Sequence, residues 1–152
     1  VVIHPLTDHR RTLPLDKKGE LIAAHPDFQL VISYNPGYQS LMKDLKQSTK
    51  QRFGAMDFDY PAEEIEVKIV SRESGVDEGT ATKLVQIAHR ARNLKGHGLD
   101  EGISTRLLVY AGQLISKGID AEAACSMTMV TPLTDDPDMR DTLNAAVQTF
   151  FG

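Results

Sequence analysis

The sequence predicts an α/β segment over residues 1–60 followed by an all-α segment over residues 61–152. Residues 28–35, FQLVISYN, are a continuous run of mostly apolar, β-forming residues, which is typical of a strand buried on both faces of a parallel sheet. From Pro61 onward the apolar residues recur with the spacing of one helix face. With 152 residues, of which 41% are hydrophobic, the chain is long enough for one domain or two small ones.

A β-hairpin is predicted near the start of the α/β segment. The four residues 16–19, DKKG, separate the sequences TLPL and ELIAA, and the turn places Gly19 at a positive φ. The other predicted elements of this segment are a short strand at residues 1–5, a polar helix over residues 40–53 with Leu41, Leu45 and Phe53 on one face, and a short strand over residues 54–60.

Helix start and stop signals divide the all-α segment into five helices. Pro61 and three nearby glutamates suit the positive end of the first helix dipole, and Gly75 ends that helix. Ser104, Asp120 and Pro137 suit the first turns of three later helices. The second helix has an apolar face formed by Leu84, Ile87, Ala88, Ala91 and Leu94, with Gly96 as its stop. The predicted helices cover residues 61–74, 77–96, 104–118, 120–130 and 136–151.

Composition argues against several classes of protein. The net charge of −4 does not favour a nucleic-acid partner, and no apolar run is long enough for a membrane span. The single cysteine, Cys125, lies in an apolar helix and is expected in the core, so no internal disulfide can form. The five histidines show no spacing typical of metal ligands, so no metal site is expected. We therefore expect a cytoplasmic protein with no bound metal of its own.

Three polar residues stand at the ends of predicted elements, and two of them, Asn35 and Arg106, could bind an anion such as phosphate. Asn35 directly follows the predicted buried strand, and ligands of open parallel sheets bind beyond the carboxyl ends of the strands. Asn-Pro-Gly is also a common turn sequence. Arg52 ends the polar helix, where a cation also simply favours the negative end of the dipole. Arg106 stands at the start of a helix, where the dipole disfavours a cation, and an anionic partner would explain its position.

The order of these elements resembles that of the MoxR group of AAA+ ATPases, and most closely its NorQ/CbbQ type. The resemblance extends over essentially the whole chain. Two segments carry most of its specificity, HPDFQLVISYNPGYQ at residues 25–39 and GISTR at residues 102–106. The resemblance implies the C-terminal part of an AAA+ core with a β-hairpin insertion over residues 1–60, followed by a helical lid domain over residues 61–152.

The same resemblance implies roles for the three polar residues. Asn35 matches the sensor 1 asparagine, Arg52 the arginine finger that reaches a neighbouring subunit, and Arg106 the sensor 2 arginine of the lid. It also implies that ATP and Mg²⁺ bind to the full-length parent protein, and that its subunits form a hexameric ring. The implied partners are a von Willebrand A-domain protein and a target enzyme complex, of the nitric-oxide reductase or rubisco type, which the ATPase remodels or activates as a chaperone.

The chain departs from the family pattern in two respects. It contains no G-x-x-x-x-G-K-[ST] phosphate loop, and the acidic Mg²⁺-binding pair after a hydrophobic strand is missing as well. We therefore expect a C-terminal portion of a longer ATPase that does not hydrolyse ATP by itself. The competing hypothesis is a non-enzymatic helical interaction module in which Asn35 and Arg52 are structural, and a phosphate loop encoded upstream would decide between the two.

Overall fold

The computed structural model describes residues 4–33, 51–99 and 101–152. The chain divides into two compact units, Val1–Asp57 and Phe58–Gly152. The sheet of the described residues is a two-stranded hairpin in the first unit, and the second unit is helical. The structure is therefore a small mixed α/β protein. None of the described helices has the length and apolar character needed to cross a bilayer.

The predicted hairpin is confirmed. Strand β1 (Thr12–Leu15) pairs antiparallel with β2 (Glu20–Ala23), with Leu15 opposite Glu20. Gly19 in the turn has a φ of 66°, which is the left-handed conformation that glycine adopts without steric strain. All four residues of β2 are exposed.

Three predicted strands of the α/β segment are wrong where the structure describes them. Residues 28–33 form no strand, and the side chain of Val31 is 84% exposed, since no strand among the described residues pairs with this run. A strand buried on both faces exists only where neighbours supply hydrogen bonds and covering side chains. Residues 54–60 likewise form no strand, with Met56 and Phe58 exposed, and His4–Leu6 is a short 3₁₀ helix rather than part of a strand.

The five helices predicted for the second segment are confirmed in order and type. Gly75 ends the first helix with a φ of 81°, as predicted, and the side chain of the predicted cap Asp120 accepts a hydrogen bond from the backbone N–H of Ala123. Asp77 and Asp136 cap the helices that follow them in the same way, and the predicted cap Ser104 occupies the N-cap position without a side-chain hydrogen bond. The helices are α1 (Glu63–Ser74), α2 (Glu78–Arg92), α3 (Thr105–Ser116), α4 (Ala121–Cys125), which continues as a π-helical turn (Ser126–Val130), and α5 (Pro137–Phe151).

The predicted helix boundaries differ from the observed ones in places. Helix α1 begins at Glu63 with Ala62 as its N-cap, so Pro61 lies before the helix and not in its first turn. Helix α2 ends at Arg92, with Asn93 as its C-cap, and not at Gly96. Gly96 has a φ of 79° and lies in the loop that follows, where Lys95 bridges to Leu99. The glycine signal therefore marks a turn within the loop and not the helix end.

The core of the helical unit lies between α1, α2 and α3, and α5 packs against α2 and α4. The apolar face of α2 is confirmed, since Leu84, Ile87, Ala88 and Ala91 are buried and Leu94 packs against them. Cys125 is buried in the same core, as expected, and this burial raises the pKa of its thiol to about 12. A buried thiol of this kind is a small apolar side chain and not a nucleophile.

Helices α1 and α3 approach each other closely at Gly112. A Cβ atom built on Gly112 would lie 2.7 Å from the Cβ of Ser74 and would overlap the Ser74 hydroxyl. Ser74 is itself buried, and its hydroxyl donates to the carbonyl oxygen of Val70 at 2.6 Å. Only a residue without a side chain therefore fits at position 112 while α1 and α3 keep this separation.

We predict that Gly112→Ala lowers the free energy of unfolding by about 1–3 kcal/mol, because overpacking forces the two helices apart. In an unobstructed helix the same change would stabilise by about 1 kcal/mol. Chemical denaturation measures the difference. In a Ser74→Gly background, which removes both obstructing atoms, Gly112→Ala should be neutral or stabilising. An equal loss in both backgrounds would show that the contact with Ser74 is not the cause.

Candidate functional site

The side chain of Glu66, in the first turn of α1, is completely buried. Both of its carboxylate oxygens are bound by the guanidinium of Arg92, with N–O distances of 2.7 and 2.8 Å. The hydroxyl of Thr105 donates to the same carboxylate at 2.6 Å. One buried carboxylate thus joins the start of α1, the end of α2 and the start of α3.

Arg92 makes a further set of contacts that complete the network. Its Nε donates to the carbonyl oxygen of Ile103 at 2.8 Å, so Nε, Nη1 and Nη2 of Arg92 all donate hydrogen bonds to oxygen atoms of the protein. The Tyr60 ring stacks on the guanidinium, with 3.6 Å from the ring centre to Cζ. The side chain of Arg92 is only 9% exposed, and a bidentate pair of this kind is the geometry in which a buried charge is best compensated.

The electrostatic balance at Glu66 favours the charged form. Burial alone would raise the pKa of its carboxyl group, but the hydrogen bonds from Arg92 and Thr105 outweigh burial and hold that pKa below its ordinary value. His89 lies at the edge of the network, with Nε2 3.7 Å from Glu66 and Nδ1 3.8 Å from Glu63. Among the described residues there is no group of three potential metal ligands.

Gly102 lets the loop before α3 lie against this network. A Cβ atom at position 102 would be 2.9 Å from Arg92 Cγ and 2.9 Å from the hydroxyl oxygen of Tyr60. The segment GISTR therefore begins with a residue that must be small, continues with Ile103, whose carbonyl is bound by Arg92, and reaches Thr105, which is bound to Glu66.

Arg106 is the second residue of α3, as the sequence predicted, and its side chain is exposed. Within the part of the chain that the structure describes, its guanidinium has no hydrogen bond or ion pair. It stands at the positive end of a helix dipole, where a cation is disfavoured. A planar guanidinium in this setting is suited to bind an anion from solvent.

Arg52 has a protein partner. It lies in a turn formed by residues 51–53, and its Nη1 donates to Asp8 Oδ2 at 2.8 Å. Arg10 binds the same carboxylate, and the hydrogen bonds from Arg10 first and Arg52 second hold the pKa of Asp8 well below its usual range.

The polar helix expected over residues 40–53 falls mostly outside the described residues, and so does Asn35. Arg52 and Arg106 belong to different compact units.

Sequence reasoning missed the network of Glu66, Arg92 and Thr105. Glu66 was grouped with Glu63 and Glu64 as a favourable charge near a helix N-terminus, where exposed glutamates are common. One signal did point to its burial. Glu66 lies four residues before Val70 and eight before Ser74, on the stripe of α1 that is buried in the structure.

The CbbQ/NirQ/NorQ C-terminal family model matches residues 66–150 of the chain. The chain belongs to this family. The matched range starts at Glu66 and includes Arg92, Thr105, the GISTR segment and all but the last residue of α5. The resemblance to the NorQ/CbbQ type drawn from the sequence is thereby confirmed.

Three curated relatives illustrate the family. Protein CbbQ of Hydrogenophilus thermoluteolus is 74% identical over 99% of this chain and 57% of its own length. Protein NorQ of Paracoccus denitrificans is 51% identical over 100% of the chain and 56% of its own length. The denitrification regulatory protein NirQ of Pseudomonas aeruginosa is 52% identical over 90% of the chain and 53% of its own length. The chain thus spans just over half the length of these relatives.

We predict that Arg92→Met lowers the free energy of unfolding of the helical unit by about 3–5 kcal/mol at neutral pH, because it leaves a buried carboxylate without its cation. The matched control is Arg90→Met on the same helix. Arg90 is exposed and lies over the Phe150 ring at 4.5 Å, so its loss should change stability by about 1 kcal/mol or less.

The pH dependence provides a second measure of the same interaction. In the wild type the lowered pKa of Glu66 contributes stability above the ordinary glutamate pKa of about 4.3, and this contribution is lost as the pH falls through the folded value. In Arg92→Met the unpaired carboxyl should instead be protonated more readily when folded. The stability difference between the two proteins should therefore shrink as the pH falls towards 4, and a constant difference would contradict an ionic origin.

Proposed function

We propose that this chain is part of a MoxR-type AAA+ ATPase that couples the binding and hydrolysis of ATP to the activation or remodelling of a partner enzyme complex. The observation that carries the proposal is the exposed guanidinium of Arg106, which has no partner among the described residues although its helix start is tied to a buried network. Membership of the CbbQ/NirQ/NorQ family supports the same function.

Arg106 is proposed to bind the nucleotide phosphates as the sensor 2 residue of the helical lid. Its two outward N–H edges can donate to phosphate oxygens, and a phosphate would offset the unfavourable placement of the cation at the start of α3. The charge of the phosphates is opposite to that of the guanidinium, and no competing carboxylate holds Arg106 within the described residues. The lid would thus close on ATP through this contact.

The described residues do not include a phosphate loop or a group of three potential metal ligands. Because the chain spans just over half the length of its relatives, we assign those elements to another segment of the same protein. Mg²⁺ bound there would neutralise phosphate charge during transfer. This chain would contribute only the groups that sense and complete the nucleotide site.

Arg52 is proposed as the arginine finger that reaches the nucleotide of a neighbouring subunit in a hexameric ring. Its partner Asp8 is also bound by a second arginine, Arg10, so that Arg52 can exchange this bond for a phosphate without leaving the carboxylate unpaired. Asn35 is proposed as the sensor 1 residue, whose amide would orient the attacking water or contact the γ-phosphate.

The proposed target is a metalloenzyme complex of the nitric-oxide reductase or rubisco type, reached together with a von Willebrand A-domain protein. One relative bears the name denitrification regulatory protein, which favours a regulatory role and, of the two targets, an enzyme of denitrification. The exposed β2 strand, with Leu21 and Ile22 largely open to solvent, is available for contact with such a partner.

We predict that Arg106→Ala in the full-length ATPase weakens ATP binding by about 10-fold to 100-fold, as expected for loss of hydrogen bonds to a charged group. Titration with a fluorescent ATP analogue measures the affinity. The control is Arg72→Ala, which removes another exposed arginine at the favourable end of α1. Equal affinities in the wild type and Arg106→Ala would reject the sensor 2 assignment and favour the interaction-module hypothesis.

We predict that Arg52→Ala leaves ATP affinity largely unchanged and lowers hydrolysis by about 10³-fold or more, because an arginine finger acts on the transition state. The control is again Arg72→Ala, which removes an exposed arginine of α1 that has no part in the proposed site and should retain activity.

A mixing experiment separates action in a neighbouring subunit from action within one chain. Rings formed from Arg52→Ala subunits and subunits defective only in the phosphate loop contain some interfaces at which an intact loop faces an intact Arg52. Such mixtures should recover part of the activity. If mixed rings form and remain inactive, Arg52 does not act across the subunit boundary.

A further inference from the structure

We propose that Glu66, Arg92 and Thr105 are positioning residues for Arg106, and that through it they set the affinity of the lid for nucleotide phosphates. The inference rests on the function proposed above, because it assumes that Arg106 binds phosphate. The new element is the role of the buried Glu66 carboxylate, which holds the backbone that leads into Arg106 through its bonds to Arg92 and Thr105.

The start of α3 is held by its neighbours and not by a cap of its own. The N-cap residue Ser104 makes no side-chain hydrogen bond to the first turn. Thr105, the residue directly before Arg106, is instead bound to Glu66 of α1 at 2.6 Å. The first turn of a helix frays most easily, so this side-chain bond acts where the backbone would otherwise be least constrained.

Arg92 constrains the same segment from the other side. Its Nε binds the carbonyl oxygen of Ile103, and its alkyl chain lies against Gly102. Residues 102, 103 and 105 are therefore each in contact with the network, and Arg106 is the first residue after them that faces solvent. The backbone that leads into Arg106 is therefore held by the network.

This arrangement has a direct consequence for binding. A long arginine side chain loses conformational freedom when it binds a phosphate, and a mobile backbone would add to that loss. Fixing the backbone in advance leaves only the rotamers of Arg106 to be ordered. Loosening the network should therefore weaken nucleotide binding about 3-fold to 10-fold, even though none of the three positioning residues touches the nucleotide.

Thr105→Val tests the proposal with the smallest available change, because it removes the hydroxyl and keeps the shape of the side chain. The matched control is Thr128→Val. Thr128 is also half-buried, but its hydroxyl donates to the carbonyl oxygen of Ala124 within its own helical segment. In the full-length ATPase, the affinity for a fluorescent ATP analogue should fall about 3-fold to 10-fold in Thr105→Val and less than about 2-fold in Thr128→Val.

A double-mutant cycle shows whether Thr105 acts through Arg106. In an Arg106→Ala background, Thr105→Val should have no further effect on nucleotide affinity, since the residue that it positions is gone. A purely structural loss would weaken binding equally in both backgrounds and would overturn the proposal. Thermal unfolding of each variant is measured in parallel, and Thr105→Ser, which keeps the hydroxyl, should restore affinity if Thr105→Val folds poorly.

The outcomes distinguish this inference from the function on which it rests. If Arg106→Ala weakens binding and Thr105→Val does not, the phosphate contact stands and the positioning role is overturned. If Arg106→Ala itself binds ATP like the wild type, both the proposed function and the positioning role are overturned. Loss of affinity in Thr105→Val that Thr105→Ser does not restore would also contradict a role for the hydroxyl.

Discussion

The helical unit is organised around one buried ion pair, that between Glu66 and Arg92. Burying a charge is unfavourable unless it is paired and fully hydrogen-bonded. Helices α1 and α2, which carry the two residues, can therefore pack in few ways that keep the pair intact. Every arrangement that separates α1 from the end of α2 would leave a carboxylate or a guanidinium without its partner in the core. The pair thus contributes less to the magnitude of stability than to the choice of a single packing.

The packing of α1 on α3 follows from this constraint. Glu66 binds Thr105 near the start of both helices, and Ser74 meets Gly112 further along both. The separations of eight residues on α1 and seven on α3 correspond to about 12 and 10 Å of helix rise, so the two helices run in the same direction and nearly in register. One contact is polar and specific and the other is a close approach that only glycine permits, and together they fix both the angle and the distance.

The sequence was informative about local structure and uninformative about pairing over distance. Helix caps such as Asp120 and Gly75 act within a few residues, and they predicted the start of one helix and the end of another correctly. The run at residues 28–33 lacked a pairing strand among the described residues, and β-propensity depends on such partners. The network joins residues that lie 26 and 39 positions apart, so no local pattern reveals it. Arg106 could be selected from sequence because its conflict with the helix dipole is itself local.

Arg92 and Arg106 carry the same side chain, which stabilises the fold in the first case and, in the function proposed here, binds a ligand in the second. Both are arginines near a helix end, but Arg92 uses its planar fork on Glu66, Ile103 and the Tyr60 ring, and its contribution is to the fold. Arg106 lies three residues beyond Ile103 with its fork open to solvent. Because Arg92 already neutralises the buried carboxylate, Glu66 does not compete for Arg106. The internal pair therefore not only orders the start of α3 but also leaves the second guanidinium available for an external anion.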